Sequence, residues 1–177
     1  SLRRQRQMCI RDSFITKGVN ALIVNPVDLT AAGPIITKAK DADLPIVLQN
    51  RQPSEEDMNS YDKAWYVGCR AEQSGTMSGE IIADYFTAHP EADKNGDGKV
   101  QYVMIQGEPG HQDATLRSEY APKAIEEAGF GVEQLAADTA MWDKVKATDL
   151  MAAFISSQGI DKIEAVLCNN RNILGPV

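Results

Sequence analysis

The run Asp93-Lys94-Asn95-Gly96-Asp97-Gly98-Lys99-Val100-Gln101 sets oxygen-bearing groups at alternate positions of a short stretch that contains glycine. Calcium is a hard cation that takes six to eight oxygens, and alternate residues of a tight loop converge on such an ion. Asp93, Asn95 and Asp97 are expected to give side-chain oxygens, Lys99 its main-chain carbonyl and Gln101 its amide oxygen, with Gly98 allowing the sharp turn. In the helix-loop-helix version, a bidentate Glu closes the set at the twelfth position. Met104 stands there, and Tyr102-Val103-Met104-Ile105 reads as a strand. The expectation is a calcium loop that opens into a strand and takes its last carboxylate from elsewhere. The competing reading is an Asp/Asn/Gly surface turn that binds nothing.

The elements that position this loop follow from pattern. Apolar runs predict strands at 21–24, 44–48, 65–68, 101–106, 132–137 and 163–168, and helical spacing predicts helices at 29–42, 71–88, 113–128 and 143–157. Asp28 is expected to cap the first helix, Pro34 to sit in its first turns, and Pro122 to kink the third. Residues 51–62 read as a polar loop. Strands that alternate with helices predict an α/β fold with mostly parallel sheets. Ligands of such sheets bind beyond the carboxyl ends of the strands.

That rule collects Asn50 after 44–48, His111, Asp113 and Arg117 after 101–106, Trp142 after 132–137, and Asn169-Asn170 after 163–168. Planar polar groups, one charge pair and one aromatic suit a polyhydroxylated ligand. Hydroxyls donate and accept, and the C–H face of a pyranose packs on a ring. Each residue also has a plain structural reading. Asp113 can be an N-cap with Arg117 its i,i+4 partner, His111 can bond a loop carbonyl, Trp142 can be core, and the asparagines can be turn residues.

With 177 residues, 43% apolar and 24% charged, the composition is that of a soluble domain. A net charge of −7 without a basic patch in the body of the chain argues against a nucleic-acid partner. No run has the length of a membrane span, so no membrane insertion of this segment is expected. Cys9, Cys69 and Cys168 lack metal-site spacing, and Cys168 reads as a small buried residue rather than a nucleophile. Residues 1–13, with Arg3, Arg4, Arg6 and Arg11, read as a translated transposase adapter and are set outside fold reasoning. The chain itself reads as an internal fragment of a longer protein.

Several segments resemble the galactose/glucose-binding proteins of the type I periplasmic sugar-binding class, the solute-binding proteins of ABC transporters. They are Asn25-Pro26-Val27-Asp28, residues 60–68, the loop 93–101, Gly107 to Asp113, Asp138 to Asp143, and Lys162 to Asn170. The resemblance covers residues 14–170. It implies a two-lobed fold, both lobes incomplete here, with 14–68 in the N-terminal lobe and 69–170 in the C-terminal lobe. It implies that Asn50, His111, Asp113, Arg117 and Asn170 hydrogen-bond a sugar and that Trp142 stacks on it. It also implies that Glu164 is the remote bidentate ligand of a structural calcium ion. The family's Asp and aromatic of the first strand are absent, and residues 171–177 depart from the family pattern, which puts their native origin in question.

The function so implied is extracytoplasmic binding of a hexose, D-galactose or D-glucose, for delivery to an ABC transporter permease, with a chemoreceptor as a second possible partner. The location would be the periplasm, or the outer face of a Gram-positive cell through a lipid anchor. The alternative is the sugar-responsive domain of a LacI-type transcription regulator. An enzyme is the weakest reading, because a glycosidase needs two carboxylates flanking the bond and Asp113 has no second acid at a matching strand end.

Overall fold

The computed structural model of the chain describes residues 2–170. The chain divides between Cys69 and Arg70 into two compact units. In chain order the first contains α1 (Leu2–Thr16), β1 (Leu22–Val24), α2 (Ala32–Asp41), β2 (Ile46–Gln49), α3 (Glu55–Asn59) and β3 (Ala64–Val67). The second contains α4 (Ala71–Ala88), β4 (Lys99–Gln106), α5 (Gln112–Glu127), β5 (Gly131–Thr139), α6 (Lys144–Gln158) and β6 (Ala165–Cys168). Both sheets are wholly parallel, as the alternation of strand and helix patterns requires.

In the first unit the strands run in the order β1-β2-β3. Leu22, Ile46 and Leu48 face Ile35, Ile36 and Ala39 of α2, and Tyr61 joins the same core. The register places Ile23, Val47 and Trp65 in one row on the other face. That face is open: Ile23 is 74% exposed, Trp65 50% and Val67 64%. Helix α1 is joined to this unit by Gln7, whose amide donates to the carbonyl of Asn25 (2.6 Å) and accepts from the amide of Val27 (3.2 Å).

Three local readings change. The helix expected at 29–42 begins with a 3-10 turn, Leu29–Ala31, and α2 proper starts at Ala32, with Pro34 in its first turn, where a missing N–H costs nothing. Asp28 makes no side-chain cap bond; its carboxylate accepts instead from the Thr30 hydroxyl. The stretch 51–62 is not all loop. Ser54 accepts from the amide of Asp57, and the acidic first turn Glu55, Glu56 and Asp57 favours the helix N-terminus, which gives α3.

The second sheet has the order β5-β4-β6 and is covered on both faces. Val100, Tyr102 and Met104 pack with Phe86 of α4 and Ala121 and Ile125 of α5. Val103 and Ile105 pack with Ala147 and Phe154 of α6. Burial on both sides explains the almost uninterrupted apolar run of β4. Helix α5 runs through Pro122 from Gln112 to Glu127. Among the described residues no helix is long and apolar enough to cross a membrane.

Candidate functional site

Parallel pairing sends the C-terminal ends of β4, β5 and β6 to one side, and three connections there carry the candidate residues. Arg117, one turn into α5, donates to the Asp113 carboxylate (3.0 Å) and to the main-chain carbonyl of Asn169 (2.7 Å). The Asp113 and Arg117 side chains are 12% and 20% exposed, so the pair is largely withdrawn from solvent. The N-cap of α5 is His111, whose Nδ1 accepts from the amide of Asp113 (3.2 Å). The reading of Asp113 as the cap therefore gives way, and its carboxylate is turned to Arg117.

Trp142 meets His111 edge to face, with ring centroids 5.2 Å apart. It stands in the turn between β5 and α6, where Met141 (φ 53°) and Trp142 (φ 62°) both take the left-handed conformation. Non-glycine residues seldom adopt it, and the surrounding bonds must hold it. The amide of Ala140 donates to Gln106 (2.8 Å), the amide of Asp143 to Ala140 (2.8 Å), and the Asp143 carboxylate caps α6 at Lys146. The Thr139 hydroxyl also bonds the carbonyl of Gly107. Glycine is required at 107 by close approach: a Cβ there would lie 2.2 Å from the indole ring of Trp142.

Asn169 is the residue that sequence reasoning placed at this strand end without giving it a role. It is 2% exposed, and its amide donates to Ile105, continuing the strand ladder past β6. Its side chain accepts from the amide of Gly107 (2.9 Å) and donates to Ser118 (2.9 Å). It thus ties β4, α5 and β6 together beside Arg117. Asn170 follows it and is half-buried. Asn50 belongs to the first unit. It is exposed, takes φ 70°, and bonds Asn25 (3.4 Å) through its amide and Tyr66 (3.1 Å) through its carbonyl.

A polar cavity of about 420 Å3 opens beside this cluster, lined by Gln106, Glu108, Thr115, Ser118, Glu119 and Gln134 and not by Asp113, Arg117 or Trp142. The donors and the ring that suit a sugar are on the cluster, so the candidate site is placed there. Burial pushes the Cys168 thiol up to about 11, so it stays protonated at neutral pH and is no nucleophile.

The opposite ends of β4 and β6 carry the loop 93–101. Asp93 accepts from the amides of Gly96, Asp97 and Gly98, Asn95 from that of Asp97, and Asp97 from that of Lys99. Gly98 has φ 76°, which meets the expectation of a sharp turn there. Glu164 reaches this loop from across the sheet: one oxygen accepts from the amide of Lys94 (2.6 Å), the other from that of Gln101 (3.0 Å). The Gln101 amide group donates to Asp97 (2.8 Å), and this bond is the first cause that holds the Asp97 carboxyl below its ordinary range.

Among the described residues no three His, Cys, Asp or Glu side chains gather into a metal-binding cluster. Asp93, Asp97 and Glu164 would therefore need the amide oxygens of Asn95 and Gln101 and the carbonyl of Lys99 to hold a cation. One atom favours this. Gln101 is 5% exposed, and its Oε1 is buried without a hydrogen-bond partner among the described residues. A buried acceptor left unmade costs about 1–3 kcal/mol. An all-oxygen donor set suits calcium or magnesium rather than zinc or copper.

A family model described as periplasmic binding protein domain matches residues 3–177, starting within the segment read as adapter-derived. The chain is 42% identical over 159 residues to the D-galactose/methyl-galactoside binding periplasmic protein MglB of Haemophilus influenzae, a match covering 90% of this chain and 48% of that protein. It is 25% identical over 154 residues to the ribose import binding protein RbsB of Escherichia coli, covering 87% and 46%. Among solved structures it is similar to an ABC transporter solute binding protein of Bacillus halodurans with bound myo-inositol. There the TM-score is 0.75, the identity 30%, and the match covers 96% of this chain and 53% of that one. The chain spans about half the length of the curated relatives it matches.

Proposed function

The chain belongs to the family of periplasmic binding protein domains, and from that premise we propose that it takes part in extracytoplasmic binding of a hexose, D-galactose or D-glucose, for an ABC transporter. The observation that carries this is the gathering of His111, Asp113, Arg117 and Trp142 at one end of the β5-β4-β6 sheet, braced by Asn169. Asp113 accepts from sugar hydroxyls while Arg117 donates to them. The pair keeps both groups oriented before the sugar arrives, which lowers the ordering cost of binding. Trp142 supplies the apolar face for the ring. Asn170 adds an amide at the same strand end, and Asn50 is assigned on the resemblance alone. The 42% identity to a galactose-binding relative supports this choice of sugar.

In this reading the loop holds a structural calcium ion through Asp93, Asn95, Asp97, Lys99, Gln101 and Glu164. Its chemistry is to neutralise the loop's carboxylates and tie them to Glu164. The receptor has no catalytic step. Its partners are the sugar and a transporter permease, with a chemoreceptor as a further candidate. It acts in the periplasm or, lipid-anchored, outside a Gram-positive cell.

Calorimetric titration with D-galactose, D-glucose, D-ribose and myo-inositol tests the sugar assignment. Binding of one of the two hexoses at least tenfold tighter than the pentose or the inositol is expected. Tighter binding of ribose or inositol would replace the sugar assigned, and binding unchanged in Asp113→Ala would remove the site.

A further inference from the structure

Lys94 occupies the second position of the loop, which supplies no ligand in an alternating calcium loop. It nevertheless makes three bonds to a segment far along the chain. Its amide donates to Glu164 Oε1 (2.6 Å), and its ammonium donates to the carbonyls of Ile163 (2.8 Å) and Ile160 (3.2 Å). Those carbonyls belong to the first residue of the 3-10 turn Ile160–Lys162 and to the residue that follows it; the Ile160 carbonyl also accepts from the amide of Ile163 (3.3 Å), so Lys94 is its second donor. An ammonium has three donors, and its bonds are charge-assisted, roughly twice as strong as neutral ones. Ile163 is itself buried among Val103, Ile105 and Phe154. The residue that precedes Glu164 is thus anchored to the core on one side and to Lys94 on the other. Glu164 is held by its own main chain as well, because its amide donates to the carbonyl of Gln101 (2.9 Å).

We propose that Lys94 is a positioning residue for the cation site: by clasping the carbonyls of Ile160 and Ile163 it sets the remote Glu164 carboxylate against the loop before the cation arrives. This inference rests on the calcium reading above. That reading has its own support in the unpartnered, buried Gln101 Oε1 beside Asp97. With Glu164 already clasped, the ordering of a distant carboxylate is completed in folding and does not weaken binding. The ammonium of Lys94 bonds main-chain carbonyls that are not among the expected ligands, so its removal changes the clasp and leaves the donor set whole.

The test is calcium titration by calorimetry on the wild-type protein, Lys94→Met and Lys94→Arg, with melting in chelator as the folding control. The expected result is one calcium bound by the wild type, about tenfold weaker binding by Lys94→Met, and recovery to within threefold in Lys94→Arg, whose guanidinium restores charged donors to the same carbonyls. A residue that served folding alone would lower the melting temperature in chelator and leave the affinity of the folded protein unmoved. Equal affinity in wild type and Lys94→Met overturns this inference alone. A wild type that binds no calcium removes the cation reading and this inference with it. Amide exchange of Gln101 in chelator gives a second readout: it is expected to speed up in Lys94→Met, and unchanged exchange would contradict the clasp.

Discussion

The two ends of β4 handle carboxylates in opposite ways. At its N-terminal end Asp93, Asp97 and Glu164 are organised by main-chain amides and by the side-chain amides of Asn95 and Gln101, and among the described residues no cationic side chain bonds any of their oxygens. At its C-terminal end Asp113 is paired with Arg117 inside a network of His111, Asn169 and Ser118. Amide-held carboxylates keep lone pairs and negative charge for a cation. A charge pair cancels its own field and offers donors and acceptors side by side, which suits a neutral polyol. The two ends of one strand thus differ in what satisfies the carboxylate, and that difference is what the two proposed roles rest on.

That contrast is open to attack, beginning where the effect is largest. Arg117→Met leaves the Asp113 carboxylate withdrawn from water without its cation. A loss of about 3–5 kcal/mol is expected for breaking such a pair, read as a lower urea midpoint together with lost hexose binding. Trp142→Ala removes the ring and its contact with His111. About 2–3 kcal/mol of binding is expected to go, seen by calorimetry as hexose affinity weaker by roughly 30-fold to 150-fold.

Chelation tests the independence of the two ends. A calcium ion present at thirty times its dissociation constant stabilises by about 2 kcal/mol, so the melting temperature is expected to fall in chelator. Hexose affinity below that temperature is expected to stay within threefold, and a large loss of affinity would merge the two sites into one. The smallest effect belongs to Cys168, the last residue of β6. Burial raises its thiol from 9.0 to about 11, so its contribution is present below pH 9 and is lost as pH rises toward 11. The wild type is expected to lose roughly 1 kcal/mol or less between pH 8.5 and 10.5 relative to Cys168→Ala, measured by urea unfolding at both values.

The strand-and-helix order was legible because both periodic signals are strong in the second unit. The run from Val100 to Ile105 marks β4, and helical spacing marks α4, although Met77, Ile81 and Tyr85 on it are exposed and Gly75, Gly79, Ala83 and Phe86 form its buried face. The gathering of His111, Asp113, Arg117 and Trp142 followed from the carboxyl-end rule of parallel sheets. What escaped depends on three-dimensional detail. Five residues of α3 are too few for a periodic signal. A histidine cap falls outside the usual capping residues. Asn169 and Asn170 are identical as letters, and only the ladder bond to Ile105 decides that Asn169 is the buried brace. The open face of the first sheet was also hidden, because Ile23 and Trp65 are as apolar exposed as they would be covered.

The central claim is that the Asp113–Arg117 pair and Trp142 form one sugar site. A crystal structure of the protein grown with D-galactose and calcium chloride tests it most directly. The account predicts a sugar with its C–H face on Trp142 and hydroxyls on Asp113 and Arg117. A sugar bound elsewhere, for example in the cavity lined by Gln106, Glu119 and Gln134, with Asp113 and Arg117 still closed on each other, would contradict it.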